Sequence, residues 1–142
     1  MLPFRLVLLA MLVILLPGRA SDIVVVVMGV RTEKGEVGCA LFRSPVGFPG
    51  DTEKATAQMH KASVGSVECK FENAAPGTYA VAVFHDLNGN RKVDKNMIGM
   101  PTEDWGVSNN VCPRFRSPRF DEASFAVKPG DAAVRLEIKI AR

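Results

Sequence analysis

Four residues in HDLNGNRKVDKN are spaced for ion chemistry: Asp86, Asn88, Asn90 and Asp94 take the first, third, fifth and ninth places of a calcium-loop register. Such a loop also needs a glycine at place six and a bidentate carboxylate at place twelve. Here place six is Arg91 and place twelve is Met97. A helix-loop-helix calcium site is therefore excluded. Two readings stay open. In one, Glu103 or Asp104 folds back across Gly99 and Pro101 to supply the missing carboxylate, and calcium binds weakly. In the other, the four side chains form Asx-turns and cap backbone donors, so that a long loop keeps one shape.

The same stretch admits an acid-base reading. His85 and Asp86 end a strand-like run, Glu103 and Asp104 follow in the loop, and His60 lies upstream. A hydrolase would need one of these histidines within hydrogen-bond reach of a carboxylate. His85 also alternates with apolar Tyr79, Val81 and Val83, which suits a hydrogen-bonded structural histidine. Trp105, the only tryptophan, stands among Glu103, Asp104, Ser108, Asn109 and Asn110. With Glu103, Asn109 and Asn110 it could form a carbohydrate or peptide platform, or it could anchor the loop.

The elements that must position these residues are strands. DIVVVVMGVR (22–31) and VGCALFR (37–43) flank the turn TEKGE and read as a hairpin. DTEKATAQM is the one stretch with short-helix or turn character. VGSVECKFE, the turn NAAPG and GTYAVAVFHD follow, the last apolar on both faces and so central in a sheet. From Asp86 to about Arg119 strand signals are few, and a connection of that length is functional or locally organised. ASFAVK and AVRLEIKI close the domain. About seven strands with no internal repeat predict an all-β chain, a single β-sandwich with one long polar loop.

Residues 1–20 carry Arg5, an apolar run from Leu6 to Leu16, and small Gly18 and Ala20 at the minus-three and minus-one places of a cleavage site. That run is shorter than the roughly 20 residues of a membrane span. A signal peptide cleaved after Ala20 leaves a domain of 122 residues, 21–142, in the periplasm or outside the cell, with no stable membrane span. Without Arg5 and Arg19 there are 16 basic and 15 acidic residues, a balance that argues against a nucleic-acid surface. PRFRSPRF (113–120) reads as a solvated loop with buried aromatics. Three cysteines in an exported chain predict one disulfide, Cys39 with Cys69, each on a strand-like alternation, and leave Cys112 over.

GCALFRSPVGFP, CKFENAAPGTYAVAVFHDLNGNRKVDKNMIGMPTEDWGVSNN and SPRFDEASFAV together resemble the bacterial exported proteins of domain-of-unknown-function family 2141. The signature is a PGTYA strand entering HD-x-N-x-N-x-x-x-D, followed by G-x-P-x-E and SNN. The family usually has glycine where this chain has Arg91. The resemblance implies a transthyretin-like sandwich and transfers no activity. Transthyretin-like hydrolases end in a Tyr-Arg-Gly-Ser motif, where this chain reads LEIKIAR. The reading that follows is an exported, non-enzymatic binding or structural module of the bacterial envelope. Its partner would be an envelope component, carbohydrate or protein, with calcium as the one candidate cofactor. The alternative is a hydrolase using His85 and nearby carboxylates.

Overall fold

The computed structural model describes residue 14 and residues 18–142, so most of the leader lies outside the described residues. Among the described residues eight strands form: β1 (Ser21–Val30), β2 (Glu36–Phe42), β3 (Thr56–Lys61), β4 (Gly65–Ala74), β5 (Gly77–Asp86), β6 (Trp105–Val107), β7 (Phe125–Val127) and β8 (Ala133–Lys139). A short helix α1 (Phe120–Ala123) precedes β7. The strands build a two-layer sandwich. One sheet has the order β4-β1-β8, and the other has β3-β2-β5-β6 with β7 also pairing β5.

Alternation sets the layers. On β1, Ile23, Val25 and Val27 turn inward; on β2, Val37, Cys39 and Leu41 do; on β5, Tyr79, Val81 and Val83 do. Burying these apolar side chains stabilises the domain by roughly 1.5–3 kcal/mol for each large residue. The expected hairpin of the first two strands does not form. β1 pairs β4 antiparallel and β8 parallel, while β2 pairs β3 and β5. The reason is that both strands present apolar faces to the same core, so they stack across it and the 31–35 connection crosses between sheets. The TEK segment takes one 3-10 turn at 52–54, capped by Asp51, whose Oδ1 accepts the Glu53 amide. The residues after it, TAQMHK, run as edge strand β3 and not as helix. β6 likewise arises inside the stretch expected to be loop, because Trp105–Val107 extends along Phe84–Ala82.

β5 is buried along both faces from Tyr79 to Asp86, as its sequence predicts. Its outer face meets a second apolar cluster of Ala40, Phe42, Ala80, Ala82, Val107 and Ala123, with Phe48, Trp105 and Phe120 packed against it. Small alanines let the covering segment lie close to the sheet. Phe48 sits edge-on between Phe42 and Phe120, with centroids 5.2 and 5.9 Å away. Cys39 and Cys69 are joined, tying β2 to β4 across the core. Cys112 is a free, exposed thiol.

The covering segment is pinned by Glu122, whose carboxylate accepts Arg116 Nη2 at 2.6 Å, Arg116 Nη1 at 2.9 Å and the Arg119 amide at 2.9 Å. The Arg116 guanidinium first, then the Arg119 amide, holds the Glu122 carboxyl down from 4.5 to about 2. A lowered carboxylate pKa stabilises the fold above the unfolded value. This contribution is therefore present above about pH 4.5 and lost as pH falls toward about 2. Side-chain NMR titration is expected to find Glu122 ionised at pH 3, and Arg116→Ala to bring its midpoint back toward 4.5.

Candidate functional site

The loop leaves β5 at Asp86, the last strand residue, whose side chain is completely buried. Its Oδ1 accepts the Gly89 amide at 2.8 Å and its Oδ2 the Arg91 amide at 2.6 Å. One carboxylate thus closes the first turn. Asn88 Oδ1 accepts the Asn90 amide and Asn90 Oδ1 the Lys92 amide, two successive Asx-turns. The amide groups of Asn88 and Asn90 then donate to the two oxygens of Asp94, at 2.5 and 2.6 Å. The four residues of the ion register are brought together, and their contacts run to the loop backbone and to each other.

Glu103 does fold back across the loop, and it meets backbone. Its Oε1 accepts the Leu87 amide at 2.8 Å and its Oε2 the Asp94 amide at 3.1 Å, so one buried side chain clamps both ends of the turn. Asp104 makes a forked pair with Arg31, at 2.9 Å to Nε and 2.7 Å to Nη2. A planar guanidinium suits this bidentate geometry. The Asp104 carbonyl accepts the His85 amide at 2.9 Å. His85 Nε2 donates to the Lys34 carbonyl at 2.7 Å, fastening the 31–35 connection over the strand end. Gly35 is needed there: its φ is +75°, and a Cβ would collide with the Asp86 carbonyl.

Neither histidine bonds a carboxylate. His85 reaches a backbone carbonyl, and His60 Nε2 lies 3.1 Å from Gln58 Oε1. A cleft of about 220 Å³ at the loop base is lined by Arg31, Thr32, His85, Leu87, Glu103, Asp104 and Arg142. Its charged groups are engaged by one another or by backbone, Arg142 through the Thr102 carbonyl. Among the described residues, no group of three or more His, Cys, Asp or Glu is placed to hold a metal ion, and every buried side-chain nitrogen and oxygen has a hydrogen-bond partner.

The residues around Trp105 separate by role. Trp105 is half-buried against the outer cluster and pairs with Phe84 and Ala141. Asn109 donates to the Glu122 and Ser124 carbonyls. Asn110 donates to the Glu137 carbonyl and accepts the Lys139 amide, standing in for a strand partner at β8. Both asparagines have positive φ, 62° and 52°, which asparagine tolerates better than most residues. Ser108, expected among the polar neighbours of Trp105, instead turns inward, where it accepts the Val81 amide at 2.9 Å and donates to the Ala123 carbonyl at 2.5 Å. SNN is thus the seam between β5, α1 and β8. Its signal was the run of three short polar side chains after an apolar strand.

Arg91 carries strain that can be measured. Its φ of 59° is left-handed, a conformation costing an L-residue roughly 1–2 kcal/mol. Arg91→Gly removes that cost, offset in part by a freer unfolded chain, and is expected to raise stability by about 1 kcal/mol. Thermal unfolding checks it.

Fold and site together define an all-β sandwich whose long loop is shaped by its own carboxylates and carboxamides. Over residues 25–135 the chain matches the family described as "Uncharacterized protein conserved in bacteria (DUF2141)", and it belongs to that family. No curated protein and no solved structure matches the chain. No helix among the described residues is long and apolar enough to cross a membrane.

Proposed function

We propose that this chain is an exported, non-catalytic module of the bacterial envelope, periplasmic or secreted, that presents the 87–102 loop to a partner. The carrying observation is the use of the would-be catalytic groups. Asp86 and Glu103 hold loop amides, Asp104 holds Arg31, and His85 holds the Lys34 carbonyl. No nucleophile-base pair forms among them, because the carboxylates are bonded to loop amides and to Arg31 and the Nε2–H of His85 is fixed to a backbone carbonyl, with no carboxylate beside either histidine. The leader-like residues 1–20 support export, and the disulfide suits an oxidising compartment. Calcium enters this reading as a weak modifier. With two carboxylates in the register, Asp86 and Asp94, and no ligand from Met97, the expected affinity is that of the weak extracellular class, on the order of 10⁻⁴ to 10⁻³ M, and Asn88 and Asn90 must turn their amide groups away from Asp94 to ligate the ion.

The test has two arms. Fractionation with mass spectrometry should recover a chain beginning at Ser21 from the envelope or the medium. Assays against ester, amide and cyclic ureide substrates should find equal rates for the parent and for His85→Ala. A rate in the parent that His85→Ala abolishes at an unchanged unfolding midpoint would establish the hydrolase instead.

A further inference from the structure

We infer that the tip of this loop, residues 96–100, docks on an anionic phospholipid surface, with Met97, Ile98 and Met100 entering the interface and Arg91, Lys92 and Lys95 meeting the headgroups. The inference rests on the non-catalytic reading above and names the partner class of the same loop.

Exposure comes first. Met97 is fully exposed, Ile98 is 82 % exposed and Met100 is 52 % exposed, three large apolar side chains within four positions. The other exposed large apolar residues on the described domain, Met28, Val46, Val64 and Phe115, stand singly in the chain. Scattered exposed apolar residues need no explanation, whereas a cluster marks an interaction surface.

The tip is also held in shape. Asn96 Oδ1 accepts the amides of Ile98 and Met100, the Asn96 amide donates to the Met100 carbonyl, and Lys95 bridges Pro101. Below the tip, the Thr102 amide donates to the Asp94 carbonyl and Glu103 fixes the Asp94 amide. A contact element ordered before binding loses little conformational entropy on docking.

Charge selects the occupant. Arg91, Lys92 and Lys95 are exposed, while the one acid among them, Asp94, faces the amide groups of Asn88 and Asn90. A basic stretch behind an apolar tip matches an anionic interface, where each Lys or Arg near the surface contributes and apolar side chains insert among the acyl chains. Size points the same way. Three apolar and three basic residues fall far short of the roughly 20–30 residues a side of a standard protein interface.

The experiment is co-sedimentation of the leader-free chain, residues 21–142, which holds every described strand. The vesicles contain phosphatidylcholine alone or phosphatidylcholine mixed with phosphatidylglycerol. Binding is expected only to the mixed vesicles and should weaken with salt. Met97→Ser with Ile98→Ser should lower the partition coefficient about tenfold or more. Lys92→Gln with Lys95→Gln should lower it about thirtyfold at low salt. All four positions are exposed, so unchanged unfolding midpoints are expected to show that the variants fold. Absence of vesicle binding overturns the inference, as does equal binding to both vesicle types or binding that survives the Met97 and Ile98 changes. Loss of cross-linking to an envelope protein in the tip variant, without vesicle binding in the parent, would replace the lipid with a protein partner. A failed vesicle test with no enzymatic turnover removes this inference alone; turnover removes the reading beneath it.

Discussion

Replacing Cys39 and Cys69 together by alanine is expected to lower stability by about 3–4 kcal/mol and the unfolding midpoint by on the order of 12 °C. The bond joins positions 30 residues apart, so in the unfolded chain it closes a long loop and removes the corresponding entropy. It also links β2 to β4, strands of opposite sheets, inside the core where both side chains are fully buried. Two alanines in their place leave a small void, which adds to the loss. Thermal unfolding with and without reductant should show the parent falling most of the way to the variant's midpoint on reduction, the remainder being the void that only the alanines leave, and the variant unmoved. Cys112→Ser, at an exposed position, should leave both curves where they are.

Asp86→Ala is expected to cost about 3 kcal/mol and to unfold the loop before the sandwich. The carboxylate is the sole side chain bonded to the amides of Gly89 and Arg91, and hydrogen bonds to charged groups contribute about 1.5–3 kcal/mol each. Partial rehydration of the freed amides sets the lower end of that range. Asp86→Asn keeps one acceptor oxygen and should lose roughly half as much. Asp94→Ala should cost about 1 kcal/mol or less, because its carboxylate accepts only from two exposed carboxamides. Chemical denaturation of the three variants gives the order directly. A loop held mainly by a cation would make Asp86 and Asp94 equally costly.

The layers of this fold were legible because period-two alternation reports which face is buried. Ile23, Val25 and Val27 and the doubly apolar β5 are placed as their patterns require. The Cys39–Cys69 pairing was legible for the same reason. Pairing partners were not: alternation says that β1 and β2 face a core, and not whether they lie side by side or stack across it. β3 was hidden because TAQMHK is an edge strand with little buried surface, and β6 because three residues are too few to show a period. In the loop, Asp86, Asn88, Asn90 and Asp94 come together as one hydrogen-bonded cluster. What the cluster bonds depended on where backbone amides point, which the residue types alone leave open. Arg31 lies 73 positions from Asp104, and no local pattern connects them.

Amide hydrogen exchange in the presence of chelator tests the central claim, that the loop is folded by Asp86 and Glu103 without help from a metal. The amides of Leu87, Gly89, Arg91 and Asp94 each donate to one of these two carboxylates. They are expected to exchange well below unfolded-chain rates with calcium removed, to slow by no more than about tenfold when millimolar calcium is added, and to lose protection pairwise. Asp86→Ala should release Gly89 and Arg91 first, and Glu103→Ala should release Leu87 and Asp94. Exchange of all four at unfolded-chain rates in chelator, with protection restored by calcium, would contradict the account and make the loop a metal site.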